Sequence, residues 1–171
     1  MASTMEKIIY LSEIEEYDVM HNNVLGAHSL WEFVKFYSSY HSAKNNPDLL
    51  LLMPVLPIVF SKTSCELICR RNFNSGSLIN TLIEDKGIFI GLQKRMEDMS
   101  DITFNSLRVA FAANLLSINN NDFKIGSLSQ TNPSLQLPQD YNNIILASRR
   151  LGAWFAKYEI SQLTNYLNIT F

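Results

Sequence analysis

The chain has 171 residues, of which 47% are apolar and 18% charged, and its formal net charge is −2. This composition excludes a disordered chain and supplies enough apolar surface for a single domain over 1–171. The near-neutral balance gives no global field toward nucleic acid or an acidic membrane. The excess of apolar over charged residues leaves material for a partner interface as well as a core.

The opening stretch, MASTMEKIIYLSEIEEYD, carries acids early and lacks an apolar signal-peptide core, so the expected location is cytoplasmic. Ile8 to Leu11 can form a short strand or an arm, and Glu13, Glu15 and Glu16 read as a solvated acidic face. Asn22 and Asn23 make a polar break before Gly26. From Ala27, residues Leu30, Phe33, Val34, Tyr37 and His41 recur at helical spacing. Trp31 and Phe36 widen the apolar face, which implies burial on more than one side. Asn45-Asn46-Pro47 ends this helix.

Leu49 to Phe60, LLLLMPVLPIVF, holds no charge and no hydrogen-bonding side chain. It is too short to cross a bilayer, which takes about 20 apolar residues. Pro54 and Pro57 each remove a backbone donor, so a bent or extended buried segment is expected, with helices packed on it. Thr63 with Glu66 has the form of a capping box. Cys65, Ile68 and Cys69 share a face, and Arg70 and Arg71 close the last turn. The two cysteines lack further ligands at zinc spacing and fit a reduced compartment.

Asn74-Ser75-Gly76 is a break, with Ser77 as the expected cap of a helix striped by Leu78, Ile79, Leu82 and Ile83. A second helix carries Phe89, Leu92, Met96 and Met99. Ser100 caps a third, with Phe104, Leu107, Phe111 and Leu115 on one face. Then Leu115–Ile118 and Asp122–Leu128 can pair about the turn Asn119-Asn120-Asn121. Three helices followed by a hairpin give 74–128 a winged-helix-like order. Residues 129–139 read as a loop. Asp140 is expected to cap the longest helix, with Tyr141, Ile144, Ile145, Ser148, Leu151, Phe155 and Tyr158 on one face. Gly152 inside it costs about 1 kcal/mol against alanine, which implies a close backbone neighbour. A last helix, capped by Ser161, holds Leu163, Tyr166 and Leu167. The fold class is therefore mainly α: a small helical domain with a winged-helix-like module, and C-terminal helices over 140–168 packing back on the core.

Signatures of chemistry do not emerge. His21, His28 and His41 have no acid or cysteine at metal spacing, and His28 and His41 read as helix-face residues. The chain has no phosphate-binding loop, no nucleophile elbow and no HExxH. An enzyme assembled from dispersed residues such as His28 and Glu32 has nothing further to support it. No metal or cofactor is expected. For DNA, the third helix offers Arg108; Lys94, Arg95 and Lys124 are the other candidate contacts, a thin footprint for a self-sufficient binder. Arg149, Arg150 and Trp154 fit either an interface hot spot or solvated arginines around a core tryptophan.

Two stretches, LLMPVLPIVFSKTS and ASRRLGAWFAKYEISQLTNYLNI, together with GSLINTLIED and VLGAHSLWEFVKFY, resemble the middle component of bacterial three-component ABC ATPase systems. The small subunit of Lamassu-type antiphage systems is similar. Asn168 stands where many relatives carry glycine. The resemblance implies a non-enzymatic adapter that sits on a Rad50- or SMC-like ABC ATPase and holds an effector subunit, a nuclease among the candidates. It implies contact with DNA only through the complex, and none with a membrane. Arg149, Arg150 and Trp154 are then the expected partner contacts. A winged-helix DNA-binding regulator is the alternative.

Overall fold

A computed structural model describes residues 21–74, 76–129 and 138–171. The expected N-terminal arm and acidic cluster, and most of the 129–139 loop, lie outside the described residues. The helices are α1 (Asn23–Tyr40), α2 (Val55–Val59), α3 (Lys62–Cys69), α4 (Ser77–Glu84), α5 (Leu92–Asp98), α6 (Ser100–Ala112), α7 (Gln139–Phe155) and α8 (Ile160–Leu167). Short 3-10 turns cover Leu49–Leu52 and Lys86–Ile88, and strands β1 (Leu116–Ile118) and β2 (Ile125–Ser127) pair antiparallel. The domain is mainly α, as the periodicities imply.

Helix α1 is the axis. Its principal neighbours are α7 on one side and α6 on another. Leu25, Leu30, Trp31, Phe33, Val34 and Tyr37 are all buried, which is why its apolar face is too wide for a surface helix. The polar break at Asn22 is in fact the cap: its Oδ1 accepts from Leu25 N at 2.9 Å, so the helix starts earlier than Ala27. Two glycines admit the neighbours. A Cβ on Gly152 of α7 would lie 2.3 Å from the Phe33 carbonyl oxygen and 3.0 Å from Tyr37 N. One on Gly26 would lie 2.1 Å from Ser106 Oγ of α6. The helix axes approach at the glycines, and the propensity cost is offset by close packing.

The apolar run is bent and buried, as expected, but helical where an extended form was open. The 3-10 turn leads into α2, and the chain then bends by 100° into α3. Pro54 is the cap of α2 and Pro57 lies in its first turn, where backbone N–H groups have no intrahelical acceptor anyway. Helix α2 touches α1, α3 and α7. Among the described residues, no single helix is long and apolar enough to cross a membrane.

The order of three helices and a hairpin holds over 74–128. However, α6 packs chiefly on α1, and α4 on the second 3-10 turn and α7. The stretch therefore shares its core with the first and last long helices. The strands are shorter than expected, with Leu116 opposite Ser127 and Ile118 opposite Ile125. Residues 47–49 run beside β2: Ile125 N donates to Pro47 O at 2.9 Å and Leu49 N to Phe123 O at 3.1 Å. The Trp31 indole N–H fixes the hairpin to α1, reaching Ser127 Oγ at 3.0 Å and Ser129 O at 3.1 Å.

The expected caps are corrected as a group. The caps are Ser61, Gly76, Met99, Pro138 and Glu159, where Thr63, Ser77, Ser100, Asp140 and Ser161 were expected. Each hydroxyl or acid lies just inside its helix, because packing sets where the chain turns. Gly76 has φ 87° and Asn168, closing α8, has φ 52°, a left-handed position that asparagine takes in place of glycine. Among the described residues the longest helix is α1, with 18 residues against 17 in α7.

Candidate docking face

At the centre of the α1–α7 contact is a buried acid. Glu32 faces α7 from the middle of α1, and its side chain is 0% exposed. Arg149 closes on it with two parallel bonds, Nε to Oε2 and Nη2 to Oε1, each 3.0 Å. His28 Nε2 lies 3.7 Å from Oε1 and Lys35 Nζ 3.8 Å from Oε2. Burial alone pushes the Glu32 carboxyl up. The nearby His28 imidazole, the Arg149 donors and the Arg149 and Lys35 charges overcome it and hold the group down at about 2. Burial likewise pushes the Lys35 ammonium down, against the pull of Glu32. Lys35 also lies 4.2 Å from the centre of the Trp31 ring.

Helix α7 reaches outward from this anchor with the next residues on its surface. Arg150 Nη1 donates to Ile68 O at 3.0 Å, and the Trp154 indole N–H donates to Asn72 O at 2.9 Å. Both acceptors belong to the end of α3 and the segment after it. Together they hold Phe73 against α1, where its ring stacks on Phe36 and Tyr40 at 5.6 and 5.8 Å. Each ring then carries a cation: Arg149 over Phe36 and Arg150 over Phe73, both at 5.7 Å, and Lys157 over Tyr40 at 5.3 Å. Phe36 and Phe73 are half-buried, while Tyr40 and Lys157 are exposed. The result is a layered cation–aromatic deck on the protein surface. It has the residue types, arginine and aromatics, that dominate binding energy at interfaces.

The family model for the ABC-three component (ABC-3C) system Middle Component 3 matches residues 12–171. The chain belongs to this family. Comparison with curated proteins and with solved structures finds no match. Membership in a middle-component family makes partner components part of this chain's setting.

In this family member the three expected partner contacts lie close together, and Trp154 is the core tryptophan of the second reading, with the two arginines half-buried beside it. Trp154 is buried at 2% exposure and braces the loop behind the deck. Arg149 and Arg150 are half-buried; Arg149 gives two hydrogen bonds to Glu32, Arg150 gives one from Nη1 to Ile68 O, and each guanidinium carbon lies over a ring. The four candidate DNA contacts each have a local neighbour. Lys94 pairs with Asp98 at 3.0 Å, Arg95 Nη2 donates to Ile88 O at 2.7 Å, and Lys124 lies 4.0 Å from Asp122. Arg108 sits 3.5 Å from Asn105 and lines a groove of about 400 Å³ with Leu49, Phe104, Phe111 and Ile118. Glu32, with both oxygens on Arg149, is an anchor between helices.

Phe36, Tyr40, Phe73 and Lys157 were not singled out as site residues. Phe36 and Tyr40 are four apart on a helix, a pattern that signals adjacency. Phe73 lies in an irregular segment and gives no such signal.

Proposed function

We propose that this chain is a non-enzymatic adapter of an antiphage defence complex. It docks on a Rad50- or SMC-like ABC ATPase, near the head region, and holds an effector subunit such as a nuclease. ATP hydrolysis and DNA contact belong to the larger partner, and the adapter works in the cytoplasm without a cofactor, as the Lamassu small subunit would. The observation that carries the reading is the cation–aromatic deck. Three segments distant in sequence converge to build an exposed surface of interface character, in a chain whose family is a middle component.

The test is co-expression with the ATPase encoded by the adjacent gene. A stable complex is expected, with the lone chain prone to aggregate. Reversing Arg149 and Arg150 together, or Lys157 alone, should reduce complex formation. Lys157 is the cleaner probe, because it is exposed and holds no ion pair among the described residues. A well-behaved monomer that never binds that ATPase would end the proposal. Salt-sensitive binding of duplex DNA by the isolated chain, weakened by R108A or K124A, would put the DNA-binding regulator in its place.

A further inference from the structure

The deck carries two cations, Arg150 and Lys157, beyond those matched by a carboxylate. Three cations, Arg149, Arg150 and Lys157, lie over its rings, and one of them, Arg149, is matched by the buried carboxylate of Glu32. Neither Arg150 nor Lys157 has an ion-pair partner among the described residues. Glu159, two residues beyond Lys157, is used to cap α8. The rest of the chain is correspondingly acidic, since the net charge is −2. Such a local excess selects partners by charge complementarity and speeds their encounter.

The geometry points to an acidic, extended segment of a partner component as the occupant of this deck. Its carboxylates would meet Arg150 and Lys157, and its apolar stems the exposed edges of Tyr40 and Phe73. This inference rests on the adapter reading and names the chemistry of its docking partner. Single-stranded nucleic acid is the rival occupant. Sequence-tolerant strand binding stacks bases on open aromatic faces. Here each of the three rings already has a cation over it and two rings beside it at 5.6 to 6.2 Å. Carboxylates need only the cations, which leaves the layers intact.

The experiment uses the full chain with fluorescent oligo-glutamate, oligo-lysine and oligo-thymidine as probes, read by anisotropy. Oligo-glutamate should bind at low salt and weaken as salt is raised. K157Q should weaken it about threefold, the size of one exposed charge contact, and K157E more. R150K, which keeps the charge, should lose less than R150Q, with melting curves verifying that each variant is folded. Absence of oligo-glutamate binding, or equal binding by K157E, overturns the inference, and preference for oligo-thymidine replaces it with a nucleic-acid strand. The same variants are then tested in the complex. If K157E assembles normally and oligo-glutamate does not bind, the adapter reading survives and the acidic-segment inference falls. If no complex forms but oligo-glutamate binding depends on Lys157, the inference stands and the adapter reading falls.

Discussion

Replacing Gly152 by alanine is the sharpest test of how α1 and α7 are held. The added Cβ would lie 2.3 Å from the Phe33 carbonyl oxygen and 3.0 Å from Tyr37 N. The first distance is about 1 Å short of comfortable contact. Both obstacles are backbone atoms of a buried helix, so no rotamer change relieves them. Alanine gains about 1 kcal/mol in helix propensity. Overpacking a well-filled interface costs about 1–3 kcal/mol, and a backbone clash belongs at or beyond the upper end. The net expectation is a loss of about 2 kcal/mol, since the helices must part and loosen the Glu32–Arg149 pair as they do. At this chain length that loss lowers the melting temperature by about 4–8 °C. Urea unfolding followed by circular dichroism gives the free energy directly. A G152A variant as stable as the parent, or more stable, would refute the close approach as the reason for glycine.

Three further outcomes are expected. E32Q leaves Arg149 and Lys35 without their carboxylate and should cost about 3–5 kcal/mol. Because the folded carboxyl sits at about 2 against an ordinary 4.5, its contribution is full above pH 4.5 and is lost as pH falls through about 2. That contribution is about 3 kcal/mol, and E32Q should flatten this part of the acid-unfolding profile. W154F removes the indole bond to Asn72 O and should cost about 1–2 kcal/mol. Faster amide exchange should follow around residues 70–74, with little change in α1 and α7. Cys69, whose thiol donates to Asn143 O at 3.2 Å, is held down at about 7, chiefly by the neighbouring Cys65 thiol and with help from the Arg150 charge, against its own burial. Cys65 is pushed up by its bond to Cys69 and by burial. Iodoacetamide should therefore label Cys69 with a midpoint near pH 7 and spare Cys65, and R150Q should raise that midpoint.

The sequence carried the faces of the helices and little about their partners. Apolar spacing located α1, α6 and α7, since an amphipathic helix shows its buried side in its period. The lone glycine in α7 announced a close neighbour, and Phe33 and Tyr37 supply it. The two-proline run announced a bent core element, and proline geometry explains its helical form. The caps were missed because hydroxyls and acids suit several positions near a helix start, and tertiary packing selects among them. The deck was half legible. Arg149 and Arg150 stood out as a charged pair beside an aromatic. Their partners Glu32 and Ile68 O lie 117 and 82 residues away, and no local pattern reports such a pairing. Phe73 was invisible because an irregular segment has no period.

The span between Glu32 and Arg149 also governs when this molecule can exist. During synthesis α1 emerges early and its main partner late, so at about 5–20 residues per second the central helix waits on the order of 6–23 s. Until α7 arrives, the apolar sides of α1 have no full cover, and its acid lacks Arg149, which donates to both of its oxygens. Closing that long loop comes before the contacts reward it, which slows folding relative to a bundle of sequential hairpins. The deck depends on the same late event, because two of its cations ride on α7. A nascent or truncated chain therefore lacks the assembled cation–aromatic deck, which only a finished copy carries.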